Sequence, residues 1–237
     1  MKRILEVCLI IVAGAVTLPA AAQSSPEIPT LRPGIRVEMA ATSTARPAPD
    51  ADQLDAFVLT VTYHGSVYEG TNAISPSALT EEITHRIASR QQKLYIKADG
   101  RATYASVSRV LRAAQASGIE APILLTAQQG VAPTPGTITP PEGMEVLIGS
   151  ALPPGTVATV VELYSSAKPP MLKINNDQTP WSALPSTLMR HFQKGDGKVV
   201  LLKADIGVPF ADVVHVIDAC RSADARVFLV PEGSNVK

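Results

Sequence analysis

Apolar positions in this chain fall into short blocks of two alternating periods. AFVLTVTYHG, residues 56–65, is rich in β-branched side chains and predicts a strand. SPSALTEEITHRIASRQ, residues 75–91, repeats Leu79, Ile83 and Ile87 at helical spacing. Either Ser75 or Ser77 can cap that helix, and Pro76 suits its first position. KLYIKA, residues 93–98, predicts a short strand. TYASVSRVLRAAQASG, residues 103–118, puts Tyr104, Val107, Leu111 and Ala114 on one helical stripe and stops at Gly118. PILLT, residues 122–126, predicts a closing strand.

The same order of blocks returns further along. MLKINN (171–176) predicts a strand and SALPSTLMRHFQ (182–193) a helix beside Trp181. VVLLKA (199–204) has four consecutive apolar residues, as a strand covered on both faces requires. PFADVVHVIDACRS (209–222) predicts a helix with Pro209 near its first turn, and RVFLV (226–230) a last strand. MEVLIGS and TVATVVELY, before this unit, predict an extra pair of strands. The copies register at a constant offset. Lys97-Ala98-Asp99 falls on Lys203-Ala204-Asp205, Tyr104 on Phe210, Val107 on Val213, Val110 on Val216 and Ala113 on Ala219. The matches lie on strand end, turn and helix core, as a duplicated fold predicts. The expected fold class is mixed α/β (α+β): two tandem small domains, each a short sheet packed with two helices.

Stretches without either period set the boundaries. Residues 23–53 are rich in Pro, Ala, Ser and Thr, hold few large apolar groups, and read as a flexible leader. QQGVAPTPGTITPPE, residues 128–142, reads as a linker because its prolines remove backbone donors and bias their neighbours to extended forms. The domains are therefore expected at 54–127 and 143–237. The start of the chain differs again: Met1-Lys2-Arg3 is basic, Val7 to Leu18 is apolar, and Pro19 and Ala20-Ala21-Ala22 come next. Residues 1–22 fit a cleaved signal peptide or an uncleaved anchor, and both readings export the remainder of the chain. The expected location is the periplasm, or the inner membrane facing the periplasm if the segment is retained.

Charge and chemistry narrow the function. With 21 basic and 21 acidic residues the chain has no electrostatic case for binding nucleic acid. Outside the N-terminal segment Cys220 is the single cysteine, so no internal disulfide forms there, and its place on a helical stripe suits a small core side chain. His64, His85, His191 and His215 lack metal-ligand spacing. GDGK at 195–198 lacks the upstream Gly and following Ser or Thr of a phosphate loop, and no Gly-x-Ser-x-Gly elbow occurs. The reading is a non-enzymatic protein with neither cofactor nor metal. Asp99 and Asp205 at the strand ends are either partner contacts or turn carboxylates that accept backbone N–H groups. Lys97 and Lys203 beside them fit edge charges that discourage foreign strands.

LYIKADGRATYASVSRVLRAAQASGI and VLLKADIGVPFADVVHVIDACRSA each run from an apolar strand through a Lys-Ala-Asp turn to a helix opened by an aromatic residue. This pattern resembles the periplasmic domain of the ExbD/TolR biopolymer-transport proteins, over residues 54–127 and 165–231. INNDQTPWSALPSTL is similar to the family's preceding strand and first helix. The resemblance implies an ExbB/TolQ-like membrane channel and a TonB/TolA-like envelope-spanning protein as partners, and Lys97, Asp99, Tyr104, Lys203, Asp205 and Phe210 as candidate contact or turn residues. It also implies dimers of the periplasmic domain, which two copies in one chain can form internally, with a homodimer of chains as the other arrangement. The chain departs from the family at its apolar segment, where no Asp stands and Glu6 is the one acid, so proton conduction does not carry over. A soluble cell-wall-binding module independent of the motor is the alternative.

Overall fold

A computed structural model describes residues 33–90, 93–130, 141–149, 152, 155–193 and 198–233. The signal-like segment, most of the linker and residues 195–197 of the GDGK turn lie outside these residues. In chain order the strands and helices are β1 (Ala41–Thr42), β2 (Arg46–Pro47), β3 (Phe57–Val61), β4 (Val67–Glu69), β5 (Asn72–Ile74), α1 (Leu79–Arg90), β6 (Leu94–Ala98), α2 (Tyr104–Ala116) and β7 (Ile123–Gln128). They continue as β8 (Glu142–Glu145), β9 (Leu147–Ile148), β10 (Thr159–Tyr164), β11 (Met171–Ile174), β12 (Asp177–Gln178), α3 (Leu184–Gln193), β13 (Val199–Ala204), α4 (Phe210–Ser222) and β14 (Arg226–Leu229). The first sheet runs β2-β8-β7-β6-β3-β4-β5, with β1 on β7, and the second β12-β11-β10-β13-β14-β9.

The order β3-β4-β5-α1-β6-α2-β7 recurs as β10-β11-β12-α3-β13-α4-β14. Pairing senses recur with it. β3 pairs antiparallel with β4 and parallel with β6, while β10 pairs antiparallel with β11 and parallel with β13. This corrects one alignment made from the sequence. MLKINN is the counterpart of β4, not of the first strand, and TVATVVELY supplies β10, the counterpart of β3. The hairpin of β4 and β5 in the first half carries no periodic signal, being three residues a strand, and turns at Gly70 with φ +59°.

One apolar core runs through both halves. Phe57, Leu59, Ile96, Leu111 and Leu124 of the first belong to the same cluster as Val161, Leu188, Leu202, Phe210 and Ile217 of the second. The other faces of the sheets are covered by the segments that precede each first strand. Ala51 and Ala56, with Met39 and Ala48, pack on Val58, Tyr95 and Leu125, and Leu147, Leu152 and Ala158 pack on Val199, Leu201 and Phe228. VVLLKA is thus covered on both faces, as its apolar run requires.

Part of the stretch read as a flexible leader is therefore ordered. Within it β1 pairs with β7, β2 pairs with β8, and Pro49–Asp52 forms a 3-10 turn. β8 likewise crosses the expected boundary at 143. β8 pairs with β7 of the first half, and two residues later β9 pairs with β14 of the second. The halves share strands and core, and residues 31–237 form a single compact unit.

Candidate functional site

The two Lys-Ala-Asp turns carry the residues singled out from the sequence, and the fold brings the turns face to face. Each strand ends with the Asp backbone N–H bonded back to a neighbouring strand, Asp99 to Val61 O and Asp205 to Leu163 O, both at 2.9 Å. Each Asp carbonyl then accepts from the third residue on, Ala102 N at 3.0 Å and Val208 N at 3.1 Å. The chain turns outward before the helix, and there the copies meet. Tyr104 N donates to Val208 O and Phe210 N to Ala102 O, both at 2.8 Å. Ala105 N donates to Ile206 O at 3.1 Å and Ala211 N to Gly100 O at 2.8 Å. Under the sequence offset each bond of the first pair maps onto the other, and so do those of the second pair. That reciprocity is the signature of an isologous, two-fold interface, here within one chain. Thr103 and Pro209 form an antiparallel bridge at its centre.

Tyr104 and Phe210 anchor this seam from inside, both buried. The Tyr104 hydroxyl donates to Val230 O at 2.9 Å, tying the end of β14 to α2, and burial pushes its pKa up. Phe210 has no hydroxyl, so the seam is symmetric in backbone and asymmetric in side chains. Glu232 N donates to Ser108 Oγ at 2.8 Å next to it. Tyr104→Phe leaves a buried carbonyl without its donor and is expected to cost ~1–2 kcal/mol in urea unfolding.

The two aspartates differ. Asp99 is 3% exposed and accepts from Arg101 Nε and Nη2, both at 2.9 Å, from Arg101 N at 3.0 Å and from Glu38 N at 3.3 Å. The Arg101 side chain chiefly holds its carboxyl at about 2, below the ordinary 3.8. A depressed pKa contributes stability that is present above the unfolded value and lost as pH falls through the folded one. Between pH 4 and 2 the wild type should therefore lose more stability than Asp99→Asn, measured by urea unfolding across that range. Equal losses would contradict the assignment. Asp205 is exposed, and its carboxylate accepts from Ser165, N at 3.1 Å and Oγ at 3.4 Å.

The lysines also divide. Lys97 is half-buried and donates to Ile35 O at 3.2 Å. Burial pushes its pKa down, against the opposing pull of Asp52. Lys203 lies 3.8 Å from the Glu162 carboxylate. In the first copy, then, the leading segment occupies both charged residues of the turn, whereas Asp205 of the second stays open to solvent.

One cluster escaped the sequence reading. Asp218 on α4 accepts both the N–H and the hydroxyl of Ser43 and of Thr44, with backbone distances of 3.0 and 2.8 Å. Burial pushes the Asp218 carboxyl up, and these four donors outweigh it and hold it low. The contact ties the leading segment to the second half across about 175 residues, a separation no local period can report.

Among the described residues no three His, Cys, Asp or Glu side chains are grouped to hold a metal ion, and no helix is long and apolar enough to cross a membrane. The His64 ring lies tilted against Tyr63 and that of His215 against Trp181, with ring centroids 4.9 and 5.7 Å apart. The family model described as biopolymer transport protein ExbD/TolR matches residues 12–129, ending where the first half ends. No curated protein and no solved structure matches the chain.

Proposed function

Over residues 12–129 this chain belongs to the ExbD/TolR family of biopolymer transport proteins, and from that premise we propose that it is a non-enzymatic envelope component of an ExbB/ExbD-type system, acting through protein–protein contacts. The second half is a diverged copy of the first, and the chain forms its own pseudo-dimer. The observation that carries this is the reciprocal seam: four backbone hydrogen bonds between the Asp99–Ala105 and Asp205–Ala211 turns, each pair exchanged by the sequence offset. A dimer built from two identical domains needs such an interface, and tethering raises the effective concentration of one half for the other to roughly millimolar.

The family match begins at residue 12, inside the apolar run from Val7 to Leu18. That supports a chain held at the inner membrane with its folded part in the periplasm. The apolar run has no carboxylate, so the chain's role is to receive or pass on a conformational change, with an ExbB/TolQ-like channel and a TonB/TolA-like protein as partners. Affinity purification of the tagged full chain from crosslinked membranes tests it. An ExbB/TolQ-like multi-spanning protein should co-purify. Recovery only with the cell wall, and never with such a protein, would overturn the reading.

A further inference from the structure

The two turns of the seam are equivalent by sequence, but the first holds a segment that the second lacks. The leading segment crosses the first turn and is fixed there at three backbone atoms. Ile35 O accepts from Lys97 Nζ at 3.2 Å, Glu38 N donates to the Asp99 carboxylate at 3.3 Å, and Glu38 O accepts from Gly100 N at 2.8 Å. The sequence offset carries Lys97, Asp99 and Gly100 onto Lys203, Asp205 and Ile206. Among the described residues no segment is seated on these three. Lys203 Nζ has the Glu162 carboxylate at 3.8 Å, and Ile206 N has no acceptor among the described residues. Both Ser165 donors go to Asp205 Oδ2, and Oδ1 has no donor among the described residues.

Three differences leave the second turn open. The counterpart of Arg101 is Gly207, so no guanidinium encloses the second carboxylate. The chain leading into the second copy is committed to the first sheet, where Ala48 N donates to Pro141 O and β8 pairs with β7. Ile206 replaces Gly100 and is 54% exposed. Its Cβ does not bar a segment on the same path, since a Cβ on Gly100 would meet Ala40 N at 3.5 Å and Glu38 O at 3.6 Å, both ordinary contacts. An apolar side chain of an occupant would gain by covering it. The sheet face beside the turn is balanced in charge, with Lys173 and Lys203 in register on either side of Glu162 and Asp205 beyond Lys203. Neither a simple anion nor a cation is favoured there. A peptide backbone supplies each missing group, an acceptor for Lys203, a donor for Asp205 and an acceptor for Ile206 N.

We propose that the turn of Lys203, Asp205 and Ile206 is a docking site for a peptide segment of a partner protein, bound as the leading segment is bound on the first copy. One residue of the segment gives its carbonyl to Lys203. The third residue on gives its N–H to Asp205 and its carbonyl to Ile206 N, and a neighbouring apolar side chain covers Ile206. No open sheet edge is needed. The inference deepens the protein-contact role above and rests on it. The probe is the segment that the first copy already holds, residues 34–41, as the labelled and capped peptide GIRVEMAA. It is titrated into the purified full chain by fluorescence anisotropy, with backbone amides followed by NMR. The tethered leading segment keeps the first site closed to micromolar peptide, because its effective concentration there is roughly millimolar. Binding should therefore move the Ile206 amide and leave that of Gly100 in place. N-methylation of the peptide's glutamate removes the N–H meant for Asp205 and should weaken binding about tenfold or more. Asp205→Ala, an exposed substitution, should do the same. Three results would overturn the proposal: no binding of the peptide, movement of the Gly100 amide in place of Ile206, or equal affinity after N-methylation or in Asp205→Ala. Loss of peptide binding would leave the co-purification with a channel protein untouched, so the two readings fail separately.

Discussion

Leu111→Ala and Ile217→Ala should each destabilise the protein by ~2–5 kcal/mol, measured by chemical unfolding, because each removes a fully buried branched side chain from close packing. The two residues occupy the middle of α2 and of α4, in the two copies, and both belong to the one cluster that runs through the halves. The expected consequence is a single cooperative transition shifted by either substitution. Two transitions, each moved by only one of the variants, would mean that the halves fold as separate units.

Gly100→Val should have a comparable effect through the seam. A Cβ at Gly100 would lie 3.2 Å from the Ala211 Cβ, tighter than ordinary packing, with Ala40 N in ordinary contact at 3.5 Å, and the branched side chain of Val adds bulk at that contact. Relief requires the two turns to part, weakening the bonds that Ala211 N and Phe210 N make across the seam. Overpacking of this kind costs ~1–3 kcal/mol. Gly118→Ala makes a fair comparison, since Gly118 stands in open space at φ +82° and its replacement strains only its own backbone. If Gly100→Val proves no worse than Gly118→Ala, the seam contributes little to stability.

The helices were legible because their stripes are long. Tyr104, Val107, Leu111 and Ala114 repeat over three turns, and α2 and α4 fall within two residues of the bounds read from the pattern. The central strands were legible because two-sided burial leaves an uninterrupted apolar run. What the pattern hid was done by small or polar residues. The leading segment covers its sheet with Ala48, Ala51 and Ala56, side chains too small to register as a core signal yet sufficient to fill a shallow face. Its hold on α4 comes from Ser43 and Thr44, residue types as common in loops as in caps. The short strands β4, β9 and β12 exist because longer strands offer them an edge, a tertiary cause with no local trace.

At the seam, sequence and structure divide the credit differently. Repetition of Lys-Ala-Asp pointed to a duplicated turn, and both turns lie where the halves meet. It could not indicate that Asp99 would be enclosed by Arg101 and Glu38 while Asp205 stayed exposed, because that difference depends on the segment before the first copy, which reaches only one of the two turns. Nor could it anticipate that the Tyr104 hydroxyl would reach a carbonyl 126 residues away.

The central claim is that two copies of one domain within this chain make the pair that each would otherwise seek in another chain. A crosslink across the seam tests it most directly. Gly100→Cys and Ala211→Cys, introduced together into a Cys8→Ser background, place two thiols at positions whose Cβ atoms are 3.2 Å apart, so a small opening of the turns reaches disulfide geometry at ~3.8 Å. Cys220 is fully buried, and burial pushes its thiol up to about 12, so it does not compete. Under mild oxidation the account predicts a disulfide within one chain, seen as a single-chain mass with faster non-reducing migration. A covalent product of twice the chain mass, or thiols that stay free, would contradict it.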